Sequence, residues 1–309
     1  MVVVCGESLI DVFAADEPST GLSMRAHVGG SPFNVAVGLA RLARPVALLG
    51  AISSDFLGAR LMRALEQEGV STATVVRTVA PTTLSLVALD ARGVPQYVFY
   101  GTQGADRQLT PETLPALAPR TRALHFGSYA TVVEPTASAL RALVEAQYRR
   151  CVVSYDPNVR LNVEPSLARW SETVQWMLPR THLLKVSEED LSLLHPGASL
   201  ESLATAWLAQ GVRFLVVTRG ASGAVAWTRK TRVDVPSMPA TVVDTVGAGD
   251  SFQAALLAWL DERDLLNDAA LAALNQVQVQ DAVSFAALAA AITCSRAGAD
   301  LPRRNELPR

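Results

Sequence analysis

Residues 242–260 read VVDTVGAGDSFQAALLAWL. The two valines end a predicted strand, Gly247-Ala248-Gly249 opens a predicted helix, and Asp250 falls in the first turn of that helix. Two glycines let the backbone approach a ligand with no side chain in the way. The free N–H groups and dipole of a helix start then form an anion hole suited to phosphate. A carboxylate inside such a hole would repel a phosphate that was merely bound, but beside a phosphoryl group in transfer it can accept the proton of an attacking hydroxyl. The plainer reading is a glycine turn with an Asp near the helix cap. Other nucleotide signatures fit worse. A dinucleotide fingerprint would need Gly where Phe252 stands, no Gly is followed by Lys as a P-loop requires, and Asp55-Phe56-Leu57-Gly58 is not the kinase DFG element.

Outward from this segment, short β-rich runs alternate with helical ones. Strands are predicted at 2–5, 46–52, 123–126, 152–156, 182–186 and 213–218, and helices at 33–43, 55–69, 133–150, 166–178 and 199–210. Leu140, Leu143, Val144 and Tyr148 recur at helical spacing. Such alternation implies right-handed crossovers and a mostly parallel sheet in an α/β fold. Two stretches break it, residues 11–28 and 74–106. In the second, TLSLVALD and QYVFYG flank the turn segment ARGVP, so the two stretches together are expected to form a small inserted β-sheet lid. GAVAW and TRVDVP predict another hairpin, followed by an almost unbroken helical region from Val246 to Arg296. No linker or repeat separates a second domain, and the tail DLPRRNELPR, with two prolines, is expected to be loosely held.

The chain has 309 residues, with 27 Lys plus Arg against 29 Asp plus Glu, a formal net charge of −2 that argues against a dedicated nucleic-acid binder. The apolar stretch Ala282 to Ser295 has 14 residues, short of the roughly 18 to 20 that cross a bilayer. No secretory signal opens the chain, and a cytoplasmic location with no membrane partner is expected. Cys5, Cys151 and Cys294 stand far apart and read as buried thiols. Only Lys185 and Lys230 are lysines, a bias read as compositional.

These segments resemble a known family, the ribokinase-like sugar kinases, also called the PfkB carbohydrate kinases. DTVGAGDSF (244–252) matches the family's C-terminal signature at every position, and VGGSPFNVAVGLARLARPVALLGAISSDFLG (28–58) matches the N-terminal one. The likeness runs from GESLID (6–11) to TCSRAGA (293–299). It implies one ribokinase-like domain over 1–309, a three-layer α/β/α fold with a mostly parallel sheet and a small β-sheet lid. It also implies ATP and Mg²⁺, and potassium as a further cofactor. By the same resemblance Asp250 is the general base, while the N–H groups of Gly247, Ala248, Gly249 and Asp250 stabilise the migrating phosphoryl group. Asp11 matches the carboxylate that binds sugar hydroxyls, and Gly29, Gly30 and Asn34 match the substrate-contacting GGxxxN element. Taken alone, Asp11 also reads as a turn residue and Asn34 as a cap for the helix beginning there.

Thr218, Gly220 and Gly223 fall in a segment that resembles the family's TxGxxG loop near the nucleotide phosphates; a plain hairpin turn is the other reading. Where the family has NxxE, acting through water on the Mg-phosphate cluster, this chain has Ser187 and Asp190, so the Asn is lost and the acid is a methylene shorter. A surface helix start rich in acids is the alternative there. Asp244 and the carbonyls of Val246, Thr293, Arg296 and Gly298 match the monovalent-cation loop. One further ligand position of that loop falls at Pro302, which offers no hydroxyl.

Asp156-Pro157-Asn158-Val159-Arg160 looks like the DPNxR element of fructokinases and 2-keto-3-deoxygluconate kinases. Arg160 then binds substrate or phosphate, or is a surface salt-bridge partner. Sugar-acid kinases generally place another Arg two residues after a lid-strand Tyr, but Tyr97 and Tyr100 are followed at that spacing by Phe99 and Thr102. The segments 104–110 and KVSEED resemble bacterial fructokinases. The expected activity is therefore ATP-dependent phosphorylation of D-fructose. The alternatives are a 2-keto-3-deoxygluconate kinase, with Arg107 reaching the acid, and a non-catalytic sugar or nucleotide sensor. Lid residues Leu86, Val87, Phe99 and Tyr100 are more apolar than one face of a small sheet can cover, which suggests a homodimer through the lid.

Overall fold

Val2, Val3, Val4 and Cys5 are all buried, and they divide between two cores. Val2 and Val4 face one, Val3 and Cys5 the other. A strand buried on both faces belongs to a sheet covered by helices on each side. The structure, a computed structural model, describes residues 1–14, 20–89 and 95–308.

In chain order the strands are β1 (Val2–Cys5), β2 (Leu9–Ala14), β3 (Met24–Gly29), β4 (Val46–Ser53), β5 (Val75–Thr78), β6 (Leu84–Leu89) and β7 (Pro95–Tyr100). They continue with β8 (Ala123–Gly127), β9 (Val152–Asp156), β10 (Leu183–Ser187), β11 (Phe214–Thr218), β12 (Ala224–Trp227) and β13 (Arg232–Val235). The first helices are α1 (Ser31–Arg41), α2 (Phe56–Gln67), α3 (Thr136–Gln147) and α4 (Leu167–Met177). After them come α5 (Glu188–Leu194), α6 (Leu200–Gln210), α7 (Ala248–Glu262), α8 (Asp268–Ala273) and α9 (Gln276–Cys294).

Nine strands form one sheet in the order β13-β12-β11-β10-β9-β8-β1-β4-β5, parallel from β11 to β5 with β12 and β13 antiparallel at one edge. The face of Val2 and Val4 is covered by α1, α2, α7, α8 and α9, and the opposite face by α3, α4, α5 and α6. This is the expected three-layer α/β/α arrangement. β2, β3, β6 and β7 form a separate sheet in the order β3-β2-β6-β7. Its hairpins β2–β3 and β6–β7 are antiparallel, joined by a parallel β2–β6 pairing. Of the expected lid segments, the turn at 90–94 and residues 15–19 lie outside the described residues.

Several local expectations are corrected. Residues 75–78, read as lid, form β5 at the edge of the large sheet, where Gly50 of β4 pairs with Val75; this run completes the crossover that follows α2. Val242 and Val243 are exposed and belong to no strand. The Val243 N–H instead donates to the Cys294 carbonyl at the end of α9. The helical region after Val246 is broken into three helices, with Asp264 at φ 58° after α7 and an Asn275 capping box opening α9. The tail is not loose: Leu301 and Leu307 are buried, and Arg304 pairs with Glu262 at 2.7 Å. Of the three free cysteines, Cys5 is buried and the other two are half-buried. α9 is long and apolar enough by length and composition to cross a bilayer, and it packs Val279, Ala282, Val283, Ala286 and Ala289 into the core that it shares with α7.

Candidate active site

The carboxyl ends of the parallel strands meet at one edge of the large sheet, where ligands bind in open α/β folds. Gly127 of β8 lies beside Asp156 of β9, and Ser187 of β10 beside Thr218 of β11. The start of α7 comes up against this edge. A Cβ added at Gly249 would lie 3.2 Å from Lys185 Nζ, so the bare glycine leaves a small concavity between helix start and ammonium. Gly247 caps α7 with a left-handed φ of 78°, and a Cβ there would stand 2.6 Å from that of Ala299. One turn along, Gln253 Nε2 donates to Ser154 Oγ (3.0 Å), itself 3.1 Å from His125 Nδ1, while Thr293 Oγ1 donates to Ser251 Oγ (2.9 Å). Burial pushes the His125 imidazole down to about 3, so this network beneath α7 is neutral.

Asp250 is buried in the first turn of α7, as read from the sequence. Ser31 Oγ donates to its Oδ1 at 2.6 Å and Asn34 Nδ2 to its Oδ2 at 2.8 Å. Bonds to a charged acceptor are worth about 1.5–3 kcal/mol each and favour the ionised carboxylate. The nearby charges of Arg160 and Lys185 act in the same direction, yet burial outweighs them all and holds the carboxyl above its ordinary range. That direction suits a proton acceptor.

Asp11 lies on β2 directly over Gly29, where an added Cβ would come within 2.1 Å of its Oδ2. Gly30 has φ 105°, and a Cβ there would reach 2.9 Å from the Glu7 carbonyl. The backbone of Glu7 thus requires glycine at 30, and the bare Gly29 leaves the Asp11 carboxylate its present place. Burial raises Asp11, opposed by the Ser85 hydroxyl, with Asp250 adding repulsion and Arg160 attraction. Asp11 sits within a strand and is no turn residue. Asn34 is no cap either: Gly30 holds that position in α1 and the Asn34 amide is given to Asp250. Arg160 is exposed at this site, and its charge lowers Glu7, Asp11 and Asp250 alike. A cleft of about 290 Å³ opens beside Asp11, lined also by His27, Arg60, Val246 and Gly298; Asp250 is not among its lining residues.

Ser187 caps α5, its Oγ accepting from the Asp190 N–H at 3.0 Å. Asp190 is buried, not on the surface, and its Oδ1 accepts the Val159 N–H at 3.0 Å, holding the loop that carries Arg160. Gly220 and Gly223 both have positive φ, and a Cβ at Gly223 would meet the Val235 carbonyl at 2.1 Å. Asp244 draws together the segments expected to form a cation loop, with Oδ1 accepting the Val246 N–H (3.0 Å) and Oδ2 the Gly298 N–H (2.8 Å). Arg296 turns outward to Asp300 and Glu306. Arg107 lies 5.9 Å from the centre of the Tyr129 ring, which meets Phe99 edge-on at 6.2 Å.

Three residues at the site escaped the sequence reading. Ser31 touches the central carboxylate. Glu7 is buried beneath the glycine loop, its carboxyl pushed up to about 8 by desolvation, with Oε2 unpartnered among the described residues. Lys185 donates to Asp156 Oδ2 at 2.8 Å, both groups buried; burial moves Asp156 up to about 6, and its Oδ1 has no partner among the described residues. For Lys185 a signal existed, since it is one of only two lysines in a chain that otherwise uses arginine. A buried point charge here fits an ammonium better than a planar guanidinium.

A model of the pfkB family carbohydrate kinases matches residues 1–305. A fructokinase from Rhizobium leguminosarum bv. trifolii is 34% identical over 276 residues, covering 89% of this chain and 84% of that protein. Fructokinase-1 of Oryza sativa subsp. japonica is 34% identical over 307 residues, covering 97% and 93%. Among solved structures, the fructokinase of Xylella fastidiosa with bound ATP superposes with TM-score 0.89 at 28% identity, covering 99% of this chain and 96% of that one. A double mutant of the Vibrio cholerae O395 fructokinase, with fructose, ADP and potassium ion bound, has TM-score 0.82 at 26% identity, covering 96% and 93%.

Proposed function

The chain belongs to the pfkB family of carbohydrate kinases, and from that premise we propose that it is a fructokinase moving the γ-phosphoryl group of MgATP to a primary hydroxyl of D-fructose. One observation carries the reading. A buried carboxylate, raised in basicity and fixed by two donors, stands in the first turn of a glycine-opened helix. Asp250 takes the proton of the sugar hydroxyl as its oxygen attacks the γ-phosphorus, and the bond to the bridging oxygen of ADP breaks. The N–H groups of Gly247, Ala248, Gly249 and Asp250, with the Lys185 ammonium beside Gly249, oppose the charge gathering on the phosphoryl oxygens. Asp11, Gly29 and Gly30 hold sugar hydroxyls, Arg160 neutralises substrate charge, and Thr218, Gly220, Gly223 and Ser187 border the nucleotide phosphates.

Among the described residues no three acid, His or Cys side chains gather around a metal position. Asp190, with one oxygen on the Val159 N–H, would offer the other through water to a magnesium ion carried by the nucleotide. Asp244 and the carbonyls of Val246, Thr293, Arg296 and Gly298 make an all-oxygen set of the kind that holds potassium, which would stiffen the loop before α7. The small sheet acts as a lid that excludes water from the phosphoryl group, and its outer face pairs two copies of the chain.

Fructose is favoured because the curated relatives named above are fructokinases and no Arg follows the lid-strand tyrosines at the spacing of acid-sugar kinases. Coupled ADP release with a panel of sugars tests this. Turnover with fructose and none with 2-keto-3-deoxygluconate is the expected result. Turnover with the acid sugar alone would overturn the substrate assignment, and binding without turnover would make the protein a sensor.

A further inference from the structure

We infer that Ser31 is the positioning residue of the phosphotransfer base: its hydroxyl aims the Asp250 carboxylate and keeps it ionised, and so ties the base to the sugar-binding glycine loop. The inference rests on the reading of Asp250 as the base and adds a residue that neither signature singles out.

Ser31 is the first residue of α1, immediately after Gly29-Gly30, and it lies 219 positions from Asp250. Its Oγ is 2.6 Å from Oδ1, while Asn34, one turn further along α1, takes Oδ2 at 2.8 Å. A carboxylate has about four lone-pair directions over its two oxygens. Two donors from one helix turn therefore fix its plane and still leave directions open for a substrate hydroxyl. Gly30 carries the cap of this same turn, held 2.9 Å from the Glu7 carbonyl at the position a Cβ would take. Any shift of the loop on binding sugar thus moves both donors and, through them, the base.

The Ser31 bond favours the charged form and opposes desolvation. The other charged groups that act on Asp250 are Asp11 on β2, Asp156 and Arg160 at and after the end of β9, and Lys185 on β10. None of these is removed by Ser31→Ala, so the variant isolates the hydroxyl. Losing one donor makes the carboxyl easier to protonate, and a protonated base cannot accept the substrate proton.

The test is the pH profile of kcat/KM for Ser31→Ala, alone and combined with Asp250→Asn, with fructose affinity measured separately by calorimetry. At the acid end of the profile kcat/KM should fall about tenfold relative to wild type, recovering toward wild type at the alkaline end. Fructose affinity should change less than twofold, and in the Asp250→Asn background Ser31→Ala should cause no further loss. A loss with no pH-dependent part, a large drop in fructose affinity, or losses that multiply in the double variant would each overturn the role, the second making Ser31 a sugar ligand. Full activity in Asp250→Asn alone would instead sink the reading of Asp250, a separate failure. A thermal melt of each variant shows whether the fold is intact, and a folded Ser31→Ala with an unchanged profile also overturns the inference.

Discussion

Asp250 is the point at which burial, helix dipole and hydrogen bonding act on one side chain. If it takes the proton, Asp250→Asn keeps the volume and an oxygen for the Asn34 amide, turns the other acceptor into an NH2 that the Ser31 hydroxyl can accept, and loses basicity. Turnover is expected to fall by roughly 10² to 10⁴ with the melting temperature nearly unchanged. A well-folded variant with near-normal turnover would contradict the role. Glu7 makes a second residue-scale prediction, on stability. Its carboxyl titrates near 8 in the folded chain against 4.5 in the open chain, so over that interval the folded state holds a proton that the unfolded state has released. The slope of unfolding free energy with pH is then negative, and the stabilisation present below 4.5 is lost as pH rises through 8. Glu7→Gln cannot ionise, so melts from pH 5 to pH 9 should show wild type losing stability relative to the variant as the solution becomes alkaline. Parallel curves would mean that Glu7 ionises as an ordinary acid.

At the scale of elements, what could be read from the sequence was what is local. The glycines and Asp of α7 lie within four consecutive residues, and their helix start follows from short-range backbone geometry. The alternation of buried runs likewise carried the parallel sheet, because its central strands bury apolar residues on both faces. What escaped depends on distant partners. Ser31 reads as an ordinary first-turn residue until α7 is brought to it, and the tail reads as loose until Leu301 fills the space that Gly38 leaves, where a Cβ would stand 2.5 Å from its Cδ2. β5 is a partly exposed edge strand whose four residues include Arg77 and Thr78, so no buried apolar run marks it. The expected cation loop combines both kinds of information: Asp244 is local to the α7 motif, but its second oxygen accepts the N–H of Gly298, 54 residues away. If potassium completes this loop, exchanging it for a tetraalkylammonium ion should lower turnover while leaving the melting temperature of the sheet core nearly unchanged. Equal rates in the two salts would rule the requirement out.

For the whole molecule the informative feature is the register of the small sheet. Val12 pairs with Leu86 and Ala26, and Leu86 with Val98; Leu84 pairs with Tyr100 and Ala14 with Met24. Because side chains alternate across a sheet, these residues share one face, while Asp11, His27, Ser85 and Phe99 share the other. The second face is turned to the site, since Asp11 overlies Gly29 and Phe99 meets Tyr129. At its base the first face packs Ile10, Val12, Val28 and Leu84 against the core of Val2 and Val4, and beyond that it leaves Met24 47%, Val98 51% and Tyr100 61% exposed. Exposed apolar side chains on one sheet face are costly in water and can be covered when two copies meet about a two-fold axis. The arrangement predicts a homodimer by sedimentation equilibrium at micromolar concentration, and a monomer for Val98→Lys combined with Tyr100→Glu. Since β2 presents Asp11 on the reverse of the same sheet, losing the partner should also loosen the sugar site, raising KM for the sugar more than it lowers kcat. A wild-type chain that sediments as a monomer, or a monomeric variant with unchanged KM, would separate the outer face from catalysis.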